Sequence, residues 1–476
     1  MIVERILVLL YLGACIGIGF IASRRVLASR DEYWVAGRRI GTLVNAMAIM
    51  ASLASGGSII GVMGLAYRQG IPATLALFAG AVIGFPLASL LVARPLRNFG
   101  RYTITDFLAF RYPSVIVQYL VPVLIVIAFT IYIVAQMKAA GITAEALLGI
   151  RYEVALTLAT VVFILYVSVG GMIAITWTDV VQGLLMLVVV VGTGLVMVLR
   201  FGSPLELMSQ ATSVAPELGQ VVNRPVESYL GYFVIWATAI PVIPHIVMRV
   251  FTAKDAQGAR LSLNVAMLAY SVMILTATLA IVPVGKVDFP GLADPDQVFL
   301  KVMESEFPAF IRGIGVAAVL AAVMSTTDAL LLACSSAIAH DILGMLFQDR
   351  LSERGLAFVR VASAWIIGGL ALYWAFSPPE LISQFYTAGI GLLSASLFVP
   401  TIAGLWWKRA NRTGGIASIV LGAATYVLVE LDLIELGLAP IVVALAASTV
   451  AMIGGALVQG AETPAMLEQV GDLHRS

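Results

Sequence analysis

Oxygen-bearing residues and helix-breaking residues occur together in two apolar segments, and their chemistry suits a dehydrated cation. Ser325 and Thr326 stand side by side in the segment 320–328, and Gly56-Gly57 interrupt another segment. Hard cations prefer oxygen ligands. The two hydroxyls, the Ala322 carbonyl and two carbonyls from the interrupted segment would form a cage of oxygens. The same hydroxyls can instead bond back to carbonyls four residues earlier in their own helix, and the residues alone leave both interpretations open.

Two interruptions lie at corresponding places along the chain. Gly56-Gly57 fall in the middle of one apolar segment, and Pro241 and Pro244 fall in another. Each proline removes a backbone N–H and clashes with the preceding turn. Such residues also kink membrane helices without further consequence. Five apolar segments can be counted forward from each break, however, which is typical of an inverted repeat that binds its substrate at the membrane midplane.

Composition places these segments in a lipid bilayer. Of 476 residues, 61% are hydrophobic and 12% are charged, and the mean hydropathy is +1.00, whereas soluble domains have about 25% charged residues. The net charge of +1 gives no indication of a nucleic-acid partner. Cys15 and Cys334 lie in separate apolar stretches, so we expect neither a disulfide framework nor a zinc site.

Apolar segments long enough to cross about 30 Å of hydrocarbon predict an all-α integral membrane protein with about thirteen transmembrane helices. We expect a single transporter domain over 1–476, with a first repeat at 42–199 and a second at 229–407. The predicted spans are 6–23, 42–67, 73–92, 116–148, 154–174, 179–199, 229–251, 261–284, 310–346, 356–376, 382–407, 415–429 and 438–458.

Charge in the connecting loops predicts the orientation. Nineteen of the 28 Lys and Arg residues lie in loops that are cytoplasmic if the N-terminus is outside, eight lie in the opposite set, and Lys138 lies within a span. Cytoplasmic loops carry the excess of basic residues. We therefore expect an external N-terminus and a cytoplasmic C-terminus in a plasma membrane, such as a bacterial inner membrane.

Several motifs in a fixed order resemble the sodium:solute symporter family, which has the LeuT-like fold, over most of the chain. The motifs are Gly100-Arg101-Tyr102-Thr103, Tyr132 with Gln136-Met137, Gly170-Gly171 followed by Trp177-Thr178-Asp179 and Gln182, Pro244-His245 with Arg249, and Ala321-Ala322 followed by Ser325-Thr326, Ser335-Ser336 and Asp341.

The resemblance implies a sodium site and a neighbouring substrate site. The implied sodium ligands are the carbonyls of Ala51, Ala54 and Ala322 and the hydroxyls of Ser325 and Thr326, with Asp179 as a nearby negative charge. The implied substrate residues are Ser55, Gly56, Gly57, Ser58, Tyr132, Gln136, Trp236, Pro241 and His245. Relatives that hold a second sodium place hydroxyls where this chain has Asp328 and Ala329, and many carry an acidic residue where this chain has Leu53.

The motifs look most like those of carriers for small carboxylates such as acetate, pyruvate, lactate, propionate or pantothenate, with proline carriers close behind. Positive helix ends at a break suit an anion, and an amino acid's carboxylate would fit equally well. The expected partners are therefore sodium, a small organic solute and lipid, with no other cofactor and no obligate protein partner evident. A proton-coupled carrier in which Asp179, Asp328 or His245 titrates is the alternative.

Lys138 and His245 are polar residues whose surroundings the sequence leaves open. Lys138 follows Gln136 by two residues, about 200° around a helix, so we expect it to face lipid or a neighbouring helix and to snorkel to an interface. A contact with the substrate carboxylate or with Asp328 is the alternative. We expect His245 to be a hydrogen-bonded structural residue. With no zinc-ligand pair, nucleophile elbow or filter loop in a span, we expect neither an enzyme nor a channel.

Overall fold

A computed structural model describes residues 2–26, 30–167, 171–220, 225–347, 353–378, 381–460 and 462–475. The described residues form helices and no β-sheet. The principal helices are α1 (Ile2–Val26), α2 (Thr42–Leu53), α3 (Val62–Gln69), α4 (Ile71–Leu87), α5 (Ile104–Arg111), α6 (Val115–Leu148), α7 (Tyr152–Val167), α8 (Met172–Phe201), α9 (Val226–Ala239), α10 (Pro244–Thr252), α11 (Ala256–Thr276), α12 (Ala309–Ser336), α13 (Glu353–Ala375), α14 (Ile382–Trp406), α15 (Arg412–Glu430) and α16 (Pro440–Gln459).

The prediction of an all-α membrane protein is confirmed, but the count of thirteen spans is not. Within the described ranges, eleven helices are long and apolar enough to cross a membrane, and one bent pair makes a possible twelfth. The predicted span 154–174 corresponds to a shorter apolar helix, Tyr152–Leu165, and residues 168–170 lie outside the described part of the chain. The repeat boundaries 42–199 and 229–407 stay a prediction.

The first predicted break separates α2 from α3. Helix α2 ends at Leu53, and Ala54 has φ −72° and ψ 71°, the conformation of an inverse γ-turn. Accordingly, the Ser55 N–H donates to the Leu53 carbonyl at 2.8 Å. A wide π-helical turn, Gly57–Gly61, then leads into α3, and the two arms meet at 61°. The backbone at Leu53–Gly57 therefore leaves the regular hydrogen-bonding pattern of a helix.

The second predicted break separates α9 from α10. Helix α9 ends at Ala239, whose carbonyl accepts hydrogen bonds from the N–H groups of Val242 and Ile243 at 2.8 and 2.9 Å. Ile243 is extended, and Pro244 opens α10 at a position where its missing N–H costs nothing. Both breaks expected from the sequence are therefore present.

Loop contacts group the loops into the two sets that the predicted orientation distinguishes, and the assignment of one set to the cytoplasm stays a prediction. The loops expected to be cytoplasmic meet at one end, and those expected to be external meet at the other. The hydrogen bonds at the first end are Arg97–Lys254, Asn98–Leu473 and Arg111–Gly404, and those at the second are Arg5–Leu147, Arg200–Glu306 and Arg312–Glu4.

Small residues let the helices that carry the candidate site approach one another. A Cβ added at Gly183 of α8 would lie 3.1 Å from the Ala51 Cβ and 3.2 Å from the Met47 carbonyl oxygen. Glycine at this position therefore allows α8 to pack closely on α2. Because Asp179 lies one turn before Gly183, this packing brings its carboxylate to the end of α2.

Candidate functional site

The hydroxyls of α12 meet the end of α2, where the first break begins. Ser325 Oγ lies 2.9 Å from the Ala51 carbonyl oxygen and 3.2 Å from the Ala322 carbonyl oxygen, close enough to donate to either. All three residues are fully buried. The structure therefore brings together three of the five predicted sodium ligands, and Ser325 points across to α2 and does not bond only within its own helix.

Thr326 contacts Ser52, a residue that was not predicted from the sequence to belong to the site. Its hydroxyl donates to the carbonyl of Ser52 at 3.1 Å. The neighbouring Thr327 hydroxyl bonds instead to the Val323 carbonyl of its own helix at 2.7 Å, as the alternative interpretation expected. Ala54 sits in the γ-turn beside these groups, and its N–H donates to the Met50 carbonyl at 2.7 Å.

Asp179 is buried and forms an ion pair with Arg249 of α10, the helix that follows the second break. The Ser52 hydroxyl lies 3.3 Å from the same carboxylate oxygen, and the Arg249 guanidinium also donates to Thr176 at 2.6 Å. Asp179 and Arg249 side chains are 0% and 1% exposed. Asp179 therefore does not stand alone behind the oxygen cluster, because a cation from α10 neutralises it.

Ser52 connects these groups into one network. Its carbonyl accepts from Thr326 and its side chain meets Asp179, so α12, α2, α8 and α10 are joined at a single point between the two breaks. Sequence reasoning noted Arg249 only as the end of a motif. No pattern in the sequence pairs it with Asp179, which lies 70 residues away.

The Ser55–Ser58 turn contacts Gln136 of α6. The Gly56 N–H donates to Gln136 Oε1 at 3.1 Å, and the Ser58 N–H donates to Ser55 Oγ at 3.0 Å. Tyr270 of α11, which was not nominated, places its hydroxyl 3.4 Å from Ser58 Oγ. The predicted residues of the first break and of α6 are thus brought together.

Tyr386 of α14 forms an aromatic wall that the sequence reasoning missed. Its ring centroid lies 5.7 Å from that of Tyr132 and 5.9 Å from that of Trp236. A Cβ added at Gly57 would lie 2.5 Å from the Tyr386 ring, so only glycine allows the ring to cover the broken backbone. Tyr386 belongs to none of the motifs, so no pattern in the sequence indicated its role.

Several buried polar atoms near the Ser55–Ser58 turn and the Tyr386 ring have no hydrogen-bond partner among the described residues. They are Gln136 Nε2, Trp236 Nε1, the Tyr386 hydroxyl and both ring nitrogens of His245. The expectation of a hydrogen-bonded His245 is therefore wrong; its ring packs on Phe129 with centroids 5.4 Å apart. Buried polar groups are normally paired, so this concentration is typical of a site that a ligand completes.

Pro241 and Asp328 occupy the margins of this region. Pro241 is buried in the turn between α9 and α10. Asp328 is buried on α12, two residues after Thr326. Gly170, the first residue of one motif, lies outside the described residues.

Lys138 is buried in an ion pair and does not snorkel to an interface. Its Nζ lies 2.7 Å from Asp296 Oδ2 and 3.9 Å from Asp294 Oδ1. The same Asp296 oxygen accepts the Ile382 N–H at 3.0 Å, where α14 begins. Lys138 and Gln136 have different partners, as their helical spacing predicted, but Lys138 pairs with the loop before α12 and not with lipid or a neighbouring helix.

Comparison with known proteins agrees with the motifs. The model of the Sodium:solute symporter family matches residues 33–422. The sodium/pantothenate symporter of Escherichia coli (strain K12) is 29% identical over 462 residues, covering 94% of this chain and 94% of that protein. The sodium/proline symporter of the same organism is 28% identical over 436 residues, covering 88% and 86%. The osmoregulated proline transporter OpuE of Bacillus subtilis (strain 168) is 29% identical, covering 87% and 86%.

A solved structure of a Na+-coupled sialic acid symporter, in a substrate-bound outward-open state, superposes with a TM-score of 0.81. It shares 18% sequence identity and covers 97% of this chain and 98% of that one. The LeuT-like fold expected from the motifs is confirmed by this similarity. The relatives are transporters, which also confirms the expectation that the chain is not an enzyme.

Proposed function

Because this chain belongs to the sodium:solute symporter family, we propose that it imports a small organic carboxylate together with sodium across the plasma membrane. The observation that carries the proposal is the group of unpaired buried donors beside Ser55–Ser58, adjoining the oxygen cluster of α2 and α12. Donors without a charge of their own suit a solute whose anionic end must bind and also be released.

The proposed sodium site uses the carbonyls of Ala51, Ala54 and Ala322 with the hydroxyls of Ser325 and Thr326. A hydroxyl that donates to a carbonyl keeps lone pairs that a cation can share, and the γ-turn at Ala54 frees backbone oxygens that a continuous helix would occupy. The site is dry, since all five of these residues are fully buried. Removing one oxygen should therefore weaken sodium binding strongly.

The proposed solute site uses Ser55, Gly56, Gly57, Ser58, Tyr132, Gln136, Trp236, Pro241 and His245, to which we add Tyr386. Proline and pantothenate, the solutes in the names of the relatives, both carry a carboxylate. Gln136 Nε2, Trp236 Nε1 and the Tyr386 hydroxyl can donate hydrogen bonds to such a group. Acetate, pyruvate and lactate share this chemistry, so proline, pantothenate and the monocarboxylates form one candidate set.

Coupling is proposed to pass through the first break. Sodium would hold α2 to α12, and the solute would hold the Ser55–Ser58 turn to α6 and α14. Each ligand therefore stabilises the same interrupted backbone. Binding of one ligand reduces the conformational entropy that the backbone must lose when the other binds. Asp179 and Asp328 would set the local charge, with Asp179 acting through Ser52.

Reconstituted transport tests the proposal. The full chain in proteoliposomes should accumulate at least one of labelled acetate, pyruvate, pantothenate or proline when sodium is present outside, and not in sodium-free buffer. Ser325→Ala should reduce sodium activation, whereas the matched Thr327→Ala, which removes a hydroxyl bonded within its own helix, should not. Equal uptake without sodium at low pH would favour proton coupling instead. The proposed external N-terminus can be checked by reagent access to tags at each end.

A further inference from the structure

Three side chains at the predicted cytoplasmic end, distant from the solute site, converge on one point. Asp106 lies in α5, and His340 and Asp341 lie in the π-helical turn Ala337–Ile342 that extends α12. His340 Nε2 lies 3.2 Å from Asp106 Oδ2 and 3.9 Å from Asp341 Oδ1. One potential ligand atom from each of the three residues lies within 4.8 Å of the others.

The shortest of these separations matches that between two metal ligands. For metal–ligand distances of ~2.0–2.1 Å, two donors of a tetrahedral zinc ion lie about 3.3 Å apart. The His340–Asp106 pair already has this spacing, and the Asp341 carboxylate would have to move closer to both side chains to enclose an ion. Two carboxylates and one neutral imidazole would balance the charge of a divalent cation, and histidine with carboxylates is a ligand set that transition metals accept.

The surroundings provide a second indication of a ligand. Asp341 has a side chain that is 2% exposed. Its Oδ1 accepts from Thr103 at 3.1 Å, but its buried Oδ2 has no hydrogen bond of acceptable geometry among the described residues, although the Thr105 hydroxyl approaches it. A cavity of about 350 Å³ adjoins the three side chains. An ion can therefore reach a buried oxygen that the protein leaves incompletely satisfied.

We propose that Asp106, His340 and Asp341 bind a divalent transition-metal ion that fastens α5 to the inner end of α12. Asp341 lies fifteen residues beyond Thr326, about 22 Å along the helix, so this site is separate from the sodium cluster. Alternating access requires the elements of the two repeats to move relative to one another. A metal that bridges α5 and α12 would restrain that movement and slow transport.

Zinc binding to the full-length protein tests the site. After treatment with a chelator, the wild type in detergent should bind one Zn²⁺ per chain, measured by calorimetry, and its thermal midpoint should rise with zinc. Loss of a residue that only hydrogen-bonds to a metal ligand weakens metal binding roughly 10–100-fold. His340→Ala and Asp341→Asn each remove a ligand itself and should weaken zinc binding by more than this. His474→Ala removes a histidine from the same end of the molecule and should bind zinc like the wild type.

Each outcome decides the proposal. Zinc binding that is equal in wild type, His340→Ala and Asp341→Asn would overturn the site, and so would a wild type that binds no zinc at micromolar concentration. Folding of the variants is checked by their thermal transition without metal, and Asp341→Asn preserves side-chain volume if His340→Ala does not fold. In proteoliposomes, zinc on the inner side should slow uptake by the wild type and not by His340→Ala; unchanged uptake with zinc bound would refute the restraining role.

Discussion

Replacing Lys138 with methionine should destabilise the protein without weakening solute binding. Lys138 and Asp296 form an ion pair at 2.7 Å in which the side chains are 5% and 0% exposed. Methionine fills similar space but leaves the Asp296 carboxylate buried without its cation. The other carboxylate oxygen of Asp296 packs closely on Gly64, where an added Cβ would lie 2.2 Å from it. Removing one member of a buried pair is costly for this reason.

The size of the loss follows from the work of protonating Asp296. In the variant the carboxyl can become neutral, so at pH 7 the penalty cannot exceed about 4 kcal/mol, the work of protonating a group with an ordinary pKa of ~3.9. Burial, opposed by Lys138 and by the Ile382 N–H, already raises the pKa of Asp296 to about 6 in the wild type. The remaining unit to pH 7 is worth about 1.4 kcal/mol. The wild type already carries the cost of raising this pKa to about 6, so we expect the variant to lose at most about 1.4 kcal/mol in unfolding free energy at pH 7.

The sign of the pH dependence distinguishes this cause from general damage. The folded-state pKa of Asp296 lies above the unfolded value, so its contribution to stability is complete below about pH 4 and is lost as pH rises through about 6. At pH 5 the carboxyl is protonated in both wild type and variant. The difference between them should therefore shrink at pH 5 and reappear at pH 7.

Denaturant titration in detergent at both pH values, with uptake in proteoliposomes, provides the assay. Lys301→Met is a matched control, because Lys301 pairs with Glu304 at 2.9 Å but both side chains are exposed, and such pairs contribute about 1 kcal/mol or less. Apparent solute affinity in Lys138→Met should stay within about threefold, under 1 kcal/mol. A loss in Lys138→Met that is as large at pH 5 as at pH 7 would refute this explanation, and a hundredfold affinity loss with a normal sodium response would place Lys138 on the solute.

Other substitutions test the rest of the site. Thr326→Ala should raise the sodium concentration needed for half-maximal uptake by tenfold or more, about 1.4 kcal/mol, and an unchanged sodium response would contradict the proposed ligand set. Asp179→Asn leaves Arg249 buried without its anion and should cost about 3–5 kcal/mol in unfolding free energy along with coupled uptake; normal coupling and stability together would make the pair incidental. Gly57→Ala should abolish uptake because its methyl group would lie 2.5 Å from the Tyr386 ring, and wild-type uptake by this variant would contradict the close packing of Tyr386 on the first break.

The membrane class, the two breaks and the cation chemistry of α12 could be predicted from the sequence. Each depends on local properties of the chain. Hydropathy over about 20 residues is enough to indicate a span. Gly56-Gly57 and the two closely spaced prolines weaken a helix through local backbone effects, and the adjacent hydroxyls of Ser325 and Thr326 can be identified without any knowledge of packing. The family motifs then implied which carbonyls the hydroxyls would face.

The partners of the buried charges were decided only by the tertiary structure. Lys138 pairs with Asp296, 158 residues away, and Asp179 pairs with Arg249, 70 residues away. The sequence contains many other charged residues that could equally have been their partners. Which one is reached depends on how the helices pack, because burial leaves a charge only those partners that its neighbours place within a few ångströms. Tyr386 entered the site for the same reason, since contact with Gly57 follows from the packing of α14 and from no local pattern.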